Sequence, residues 1–463
     1  MNVLNKLILN NKIFVFLIIF LFSRLIIFYY LEIETNNLNF GYKLLDLSLL
    51  TNDFFLSIFH LHNQAPGWNI LNGLIAKSFN GNIELIHIAI NVLHSFFTLL
   101  IIYYAILISK EFQLSEKKQF IIFLFITLNP TIIFYENIFD YNQTIAFIFT
   151  QMSFFIIKFF KTGQRKYELY TYISLLFLGF FWVLYHPILI LIIFIFFRFF
   201  NKAPISFYAN VFIIFLISLS PAIKNKIVFN DFTFSSKSGA DFSVVFPFPD
   251  WLDTCVSREA KSDKNFIKQD RIDKYFPYYE KIYMRNYNRK INHPAAIGEI
   301  SHFNSVALFP FSKNCKELTI EKILNDPFYY IKDRFKSFLA GHGKFGFDFV
   351  YPKPKNWNKY YDGLDKLYKN PSIKLTRQII IFILCMFIYS VLSYFVLFSK
   401  EDKKLRKSLF IIGIIYFYLV AGCTLGTGTE QERYLYNGFI VNILFLIIIL
   451  KSFKKSSKFF IFD

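Results

Sequence analysis

The chain reads as an all-α polytopic membrane protein of about ten transmembrane helices, with one long hydrophilic region between the seventh and the eighth. Three observations predict this. Hydrophobic residues make up 55% of its 463 positions and aromatic residues 21%, and the mean hydropathy is +0.40. These values suit a chain whose solvent is lipid rather than a soluble domain. Apolar runs long enough for about 30 Å of hydrocarbon recur near 13–31, 85–108, 119–134, 143–160, 168–184, 187–200, 207–222, 377–398, 408–422 and 435–450. Finally, the 51 Lys and Arg residues behind a net charge of +19 gather at the ends of those runs. Stretches such as KEDKKLRK (Lys400–Lys407) and KSFKKSSK (Lys451–Lys458) follow the positive-inside rule, and they do not call for nucleic acid.

The first run lies behind Lys6 and Lys12, and the LEIETNN that follows has no small-residue cleavage site, so the run is expected to stay as a signal anchor. The segment Tyr42–Phe79 is too polar to cross a bilayer, and the chain is organised around it. It carries Asp46, Asp53, His60, His62, Gln64, Asn69 and an Ala-Pro-Gly break, and reads as the active-site loop of a membrane enzyme, within a first outer loop at 32–84. A carboxylate at Asp46, close behind the first span, can serve as a general base or a metal ligand, and equally as a solvated loop residue or a helix cap. His60, His62 and Gln64 alternate, so on extended backbone they share one side and on a helix they splay; the following Ala65-Pro66 favours extension. Polar contacts to a sugar or phosphate fit this set. A zinc site would need further ligands, and no nearby Cys or HExxH-type pattern supplies them.

Further along, Asn129-Pro130 falls just inside the third run. The turn after it, FYENIFDYNQT (Phe134–Thr144), brings Glu136, Asp140, Tyr141 and Asn142 to the membrane edge, where ionisable groups suggest function or else a wet hairpin tip. His186 precedes Pro187 at a comparable edge and reads as a site residue or as the cap of a kinked helix end. Loops ISKEFQLSEKKQ, FKTGQRKYE and RFFNKAP join Lys6 and Lys12 on one side, which the charge rule makes cytoplasmic. Both termini are then cytoplasmic in the plasma (inner) membrane of a multi-pass protein.

The chain divides into an N-terminal membrane module at 1–222, an extracytoplasmic region at 223–376 and C-terminal membrane helices at 377–463. Within the middle region Cys255 and Cys315 could pair. There too, Ile320–Gly341 shows helical periodicity and is expected to lie on the membrane surface. Before the last run, TEQERYLYN offers Glu430, Glu432 and Arg433. Arginine suits bidentate phosphate binding, while the acids suit the helix macrodipole. Arg24, in the outer half of the first run, is a second buried cation that could meet a lipid phosphate or snorkel.

Four short motifs, in order and on one side, are FHLHNQAPGWN (Phe59–Asn69), YENIFDY (Tyr135–Tyr141), KNKIVFNDFTFSSKSG (Lys224–Gly239) and EQERY (Glu430–Tyr434). Together they resemble the GT-C superfamily of polytopic glycosyltransferases, in particular its bacterial dolichyl-phosphate-mannose-protein-mannosyltransferase-like branch. The resemblance implies an inverting enzyme that moves a sugar from a polyprenyl-phosphate donor to a lipid, glycan or protein acceptor on the extracytoplasmic face. It implies Asp46 as the catalytic base and Arg433 on the donor phosphate; the reading built on it adds Lys224 at that phosphate. Gln64-Ala65-Pro66-Gly67 stands where the family tends to Pro-Pro and a large apolar residue, and Asp46 lacks an acidic neighbour. Both departures leave metal dependence open, and no cofactor is expected. The rival class is a polytopic transporter or lipid-linked saccharide flippase, which would place ionisable residues at mid-membrane in two related halves.

Overall fold

A computed structural model describes residues 15–26, 45, 47–137, 140–236, 308–342, 383, 386–396, 403–426, 436 and 438–456. Among the described residues the secondary structure is helical, without strands. Four helices are long and apolar enough to cross a membrane: α5 (Ile83–Glu111), α8 (Asn142–Thr162), α11 (Ile205–Phe229) and α15 (Lys403–Gly426). Shorter apolar helices accompany them, namely α1 (Val15–Ile26), α10 (Pro187–Phe200), α14 (Met386–Val396) and α16 (Ile440–Ser456).

α8 forms the centre. Of its most apolar window 78% is buried inside the protein, against 33–39% for the other three, and it packs on α5, α15, α16 and α9 (Arg165–Phe181). Residues on the outside of α5, such as Val92 and Phe96, and of α11, such as Phe212 and Ile213, are exposed and apolar. A helix whose outer face is as apolar as its inner one is built for lipid rather than water.

Local chemistry sets the helix ends. Asn82 caps α5 by accepting the Leu85 N–H at 3.1 Å, and Gly163 closes α8 in the left-handed region at φ 71°. The run expected as one span at 119–134 is instead divided into α6 (Glu116–Thr127) and α7 (Pro130–Glu136). Asn129 Oδ1 accepts the N–H groups of Thr131 and Ile132 at 3.0 and 3.3 Å, so a fresh cap starts the helix again at Pro130. The run expected at 207–222 is longer than expected. α11 runs through Pro221 to Phe229, and its last turns are held by Lys224 donating to Leu61 O and Asn225 Nδ2 donating to Thr233 O.

The first loop folds into short helices α2 (Leu47–Asn52), α3 (Phe54–His60) and α4 (Gly67–Ser78). α4 rests on α2, α5 and α9. Its first residue has to be small, since a Cβ on Gly67 would lie 2.6 Å from Phe180 O. That contact is the physical reason why no large apolar residue follows Pro66 in this chain.

In the region expected to lie outside the membrane, α12 (Leu308–Asn325) and α13 (Pro327–His342) replace the single helix expected over Ile320–Gly341. The break is a second cap, with Asp326 Oδ1 accepting the Tyr329 N–H at 2.8 Å beside Pro327. Cys315 is fully buried and disulfide-bonded; Cys255 lies outside the described residues.

The side chains at the two ends of the bundle differ. At one end, Glu111 at the end of α5 pairs with Lys158 and Lys161 of α8, and Lys404 of α15 donates to Lys161 O. Lys118 of α6 donates to Leu450 O of α16, and buried Glu168 at the start of α9 sits between Arg165 and Arg198. This is the basic end. The opposite end collects the polar residues described next.

Candidate functional site

Three chain-distant segments meet at the second end of the bundle. α3 stops at His60, and Leu61 turns extended at φ −65°, ψ 120°. His62 and Asn63 then run along the segment after α11. His62 Nδ1 lies 2.7 Å from Ser236 Oγ, the Ser236 N–H donates to His62 O at 2.9 Å, and Ser235 Oγ donates to Asn63 O. With Lys224 on Leu61 O, four contacts fasten residues 61–63 to residues 224–236. His60, His62 and Asn69 are all buried, and Gln64 is half-buried.

The His60 imidazole is held down to about 4 from an ordinary 6.5, first by burial and then by the Lys224 charge. An unfolded chain binds the proton that the folded site refuses. The His60 contribution is therefore fully present above pH 6.5 and is lost as the pH falls from 6.5 through 4. The drop in thermal midpoint in detergent between about pH 7.5 and about pH 5 should accordingly shrink in His60→Phe. An unchanged drop would show that His60 is not excluded from protonation.

A second polar layer lies beneath. Arg24 of α1 holds Glu136, the last residue of α7, by two parallel bonds: Nε to Oε2 at 2.6 Å and Nη2 to Oε1 at 2.5 Å. Its Nη1 donates to Thr127 O at the end of α6. Glu136 is 2% exposed. The network continues through His94 Nδ1, 3.3 Å from Glu136 O, and Thr98, whose hydroxyl accepts from Gln143 Nε2 at 2.6 Å. Gln143 Oε1 in turn accepts the Tyr436 hydroxyl. The ring of Tyr436 stacks on Tyr135 at 3.9 Å. Arg24 thus meets a carboxylate rather than only snorkelling.

Aromatic rings link the two layers. Trp68, 1% exposed, stacks on His94 at 6.0 Å and meets Tyr141 edge-on at 6.5 Å; Tyr141 leads to Trp182 and then to Tyr185. His186 stands at the rim as the cap of α10. Its Nδ1 accepts the Ile188 N–H at 3.2 Å, and its ring lies 4.4 Å from Phe234.

Of the sequence-predicted residues, the fold therefore places His60, His62, Asn69, Glu136, Tyr141 and Lys224 in one continuous region, with Gln64 and His186 at its edge. Asp46, Glu432 and Arg433 lie outside the described residues. Their chain neighbours are in the region: the buried Leu45 donates its N–H to Asn69 Oδ1 at 2.7 Å, and Tyr436 is buried in the polar layer. His94, Thr98, Gln143, Trp68 and Ser236 belong to the site and were not singled out from sequence. His94 and Gln143 had a legible signal, since each is a polar residue inside or at the start of an apolar run. Among the described residues no group of three or more His, Cys, Asp and Glu is placed to hold a metal ion.

No family model, curated protein or solved structure matches the chain.

Proposed function

We propose that the chain is an inverting glycosyltransferase of the GT-C kind. In this reading it moves one sugar from a polyprenyl-phosphate donor to an acceptor at the extracytoplasmic surface. One observation carries the reading: the Phe59–Asn69, Tyr135–Tyr141 and Lys224–Ser236 segments, far apart in the chain, form one buried polar region at one end of an apolar bundle. That is where a membrane-bound donor and a water-borne acceptor can meet. Basic residues collected at the opposite end support a cytoplasmic assignment for that end, with both termini there, 223–376 outside and about ten spans in all. A disulfide at Cys315 suits an oxidising outer compartment.

In the reaction, Asp46 takes the proton of the acceptor hydroxyl, and the freed oxygen attacks the anomeric carbon from the face opposite the phosphate. The bond between that carbon and the phosphate oxygen breaks, leaving polyprenyl phosphate and a glycoside of inverted configuration. Arg433 and Lys224 balance the charge on the departing phosphate. Gln64, Trp182 and His186, half-buried at the edge of the region, are suited to the polar edges and apolar face of a sugar, with the buried His62, Asn69, Trp68 and Tyr141 packed in the same region. Glu432, beside Arg433, is held for orienting that guanidinium.

The ion pairs among the described membrane helices sit at their two ends, which fits surface chemistry better than a transport path. Membranes containing the chain, supplied with radiolabelled polyprenyl-phosphate sugars, should transfer label from at least one donor to an acceptor. Absence of transfer from a panel of such donors, with the protein correctly inserted, would overturn the reading.

A further inference from the structure

α12 and α13 present an apolar stripe that the other described residues do not cover. Ile320 and Leu324 of α12 are 41% and 75% exposed, and Phe328, Ile331 and Phe335 of α13 are 83%, 62% and 57% exposed. Steps of four, four, three and four residues keep them on one side across the Asp326-Pro327 break. The opposite side is occupied. In α12, Ser312, Cys315 and Thr319 are buried. In α13, the Tyr330 hydroxyl donates to Leu425 O at 3.0 Å, and Arg334 Nη1 donates to Thr424 O at 3.2 Å from a side chain 5% exposed.

Those two carbonyls fix the height of α13. α15 runs over Lys403–Gly426 and holds one of the candidate membrane spans, and Thr424 and Leu425 stand in its last turn, at the end away from Lys404. An α15 that crosses the bilayer sets α13 where hydrocarbon gives way to headgroups. Measured from Leu324 at about 100° of rotation per residue, the exposed Lys316 and Lys332 stand about 80° to either side of the stripe and Glu321 about 60° round, while Lys313 and Glu317 stand within about 20° of it in the earlier turns of α12.

The geometry points to α12–α13 as an interfacial anchor, its Ile320, Leu324, Phe328, Ile331 and Phe335 stripe sunk into the bilayer surface at the polar end of the bundle. The occupant of this face is lipid, with acyl chains against the stripe and headgroup phosphates against the flanking lysines. A second copy of the chain or another protein would have no reason to sit at this height in particular. The anchor does not depend on the proposed reaction. It adds a mechanical consequence, since α13 grips the end of α15 directly before the segment that carries Glu432 and Arg433.

The test uses the full chain in vesicles of phosphatidylcholine and phosphatidylglycerol, with single substitutions Phe328→Trp, Ile331→Trp and, on the far side of α12 from Leu324, Lys322→Trp. Emission of the parent protein, with its four native tryptophans, is subtracted. Phospholipids brominated at two depths should quench the tryptophans at 328 and 331 and leave that at 322 bright, with a depth of about 5–10 Å below the headgroup level. Red-shifted, unquenched emission at 328 and 331 would mean water on this face and would overturn the proposal. Blue-shifted, unquenched emission would mean a protein partner and would overturn it equally. Equal quenching at 322 would remove the one-sidedness on which it rests.

Discussion

Asp46→Asn is expected to slow sugar transfer by roughly 10²–10⁴ while donor binding survives, because the amide keeps the shape of the carboxylate and loses only the basic oxygen. The fold bears on this through its neighbour. Leu45 is buried and tied through its N–H to Asn69 Oδ1, at the start of α4 and one residue from Trp68. Asp53 stands at the start of α3, makes no capping bond and is half-exposed, so Asp53→Asn should change turnover by less than about tenfold. Transfer rates and donor binding in membranes of the two variants decide it. Equal effects, or near-normal turnover in Asp46→Asn, would remove Asp46 as the base. Glu136 is a poor replacement, because both its oxygens are held by Arg24.

That pair carries the second large effect. Arg24→Ala should destabilise the protein by about 3–5 kcal/mol, because it strands a buried carboxylate and leaves Thr127 O without its donor. Glu136→Leu should cost a similar amount by stranding the guanidinium. Replacing both at once, as Arg24→Met with Glu136→Leu, should recover most of the loss, since an apolar pair of similar volume needs no compensation. Thermal or denaturant unfolding in detergent reads all three. Additive losses in the double variant would mean that the two side chains do not act as a closed pair.

The two acid and base partners were visible singly in the sequence, Glu136 as an ionisable group at a membrane edge and Arg24 as a cation inside an apolar run. Nothing in the sequence connected them across 112 residues. The apolar runs were legible because lipid demands uninterrupted length. Their ends were less so, since single side-chain oxygens decide them: Asn129 and Asp326 each end one helix and start another inside a periodic pattern that reads as continuous. His60 and His62 were legible as a polar pair, yet the outcome lay between the strand and helix alternatives. α3 ends on His60, and only the extended Leu61 carries the chain to His62. The Ser235 and Ser236 contacts had no local signal at all, because their partners lie 172 and 174 residues away.

That separation has a consequence for biosynthesis. Residues 61–63 leave the ribosome long before residues 224–236 exist, and at about 5–20 residues per second the delay is on the order of 10–35 s. Through that interval His62 and Asn63 must stay in water, in transient pairing or in the keeping of the insertion machinery. A nascent chain cut off before Lys224 should therefore hold the first loop open to protease. The same loop should become resistant once Ser236 has been added and has cleared the membrane.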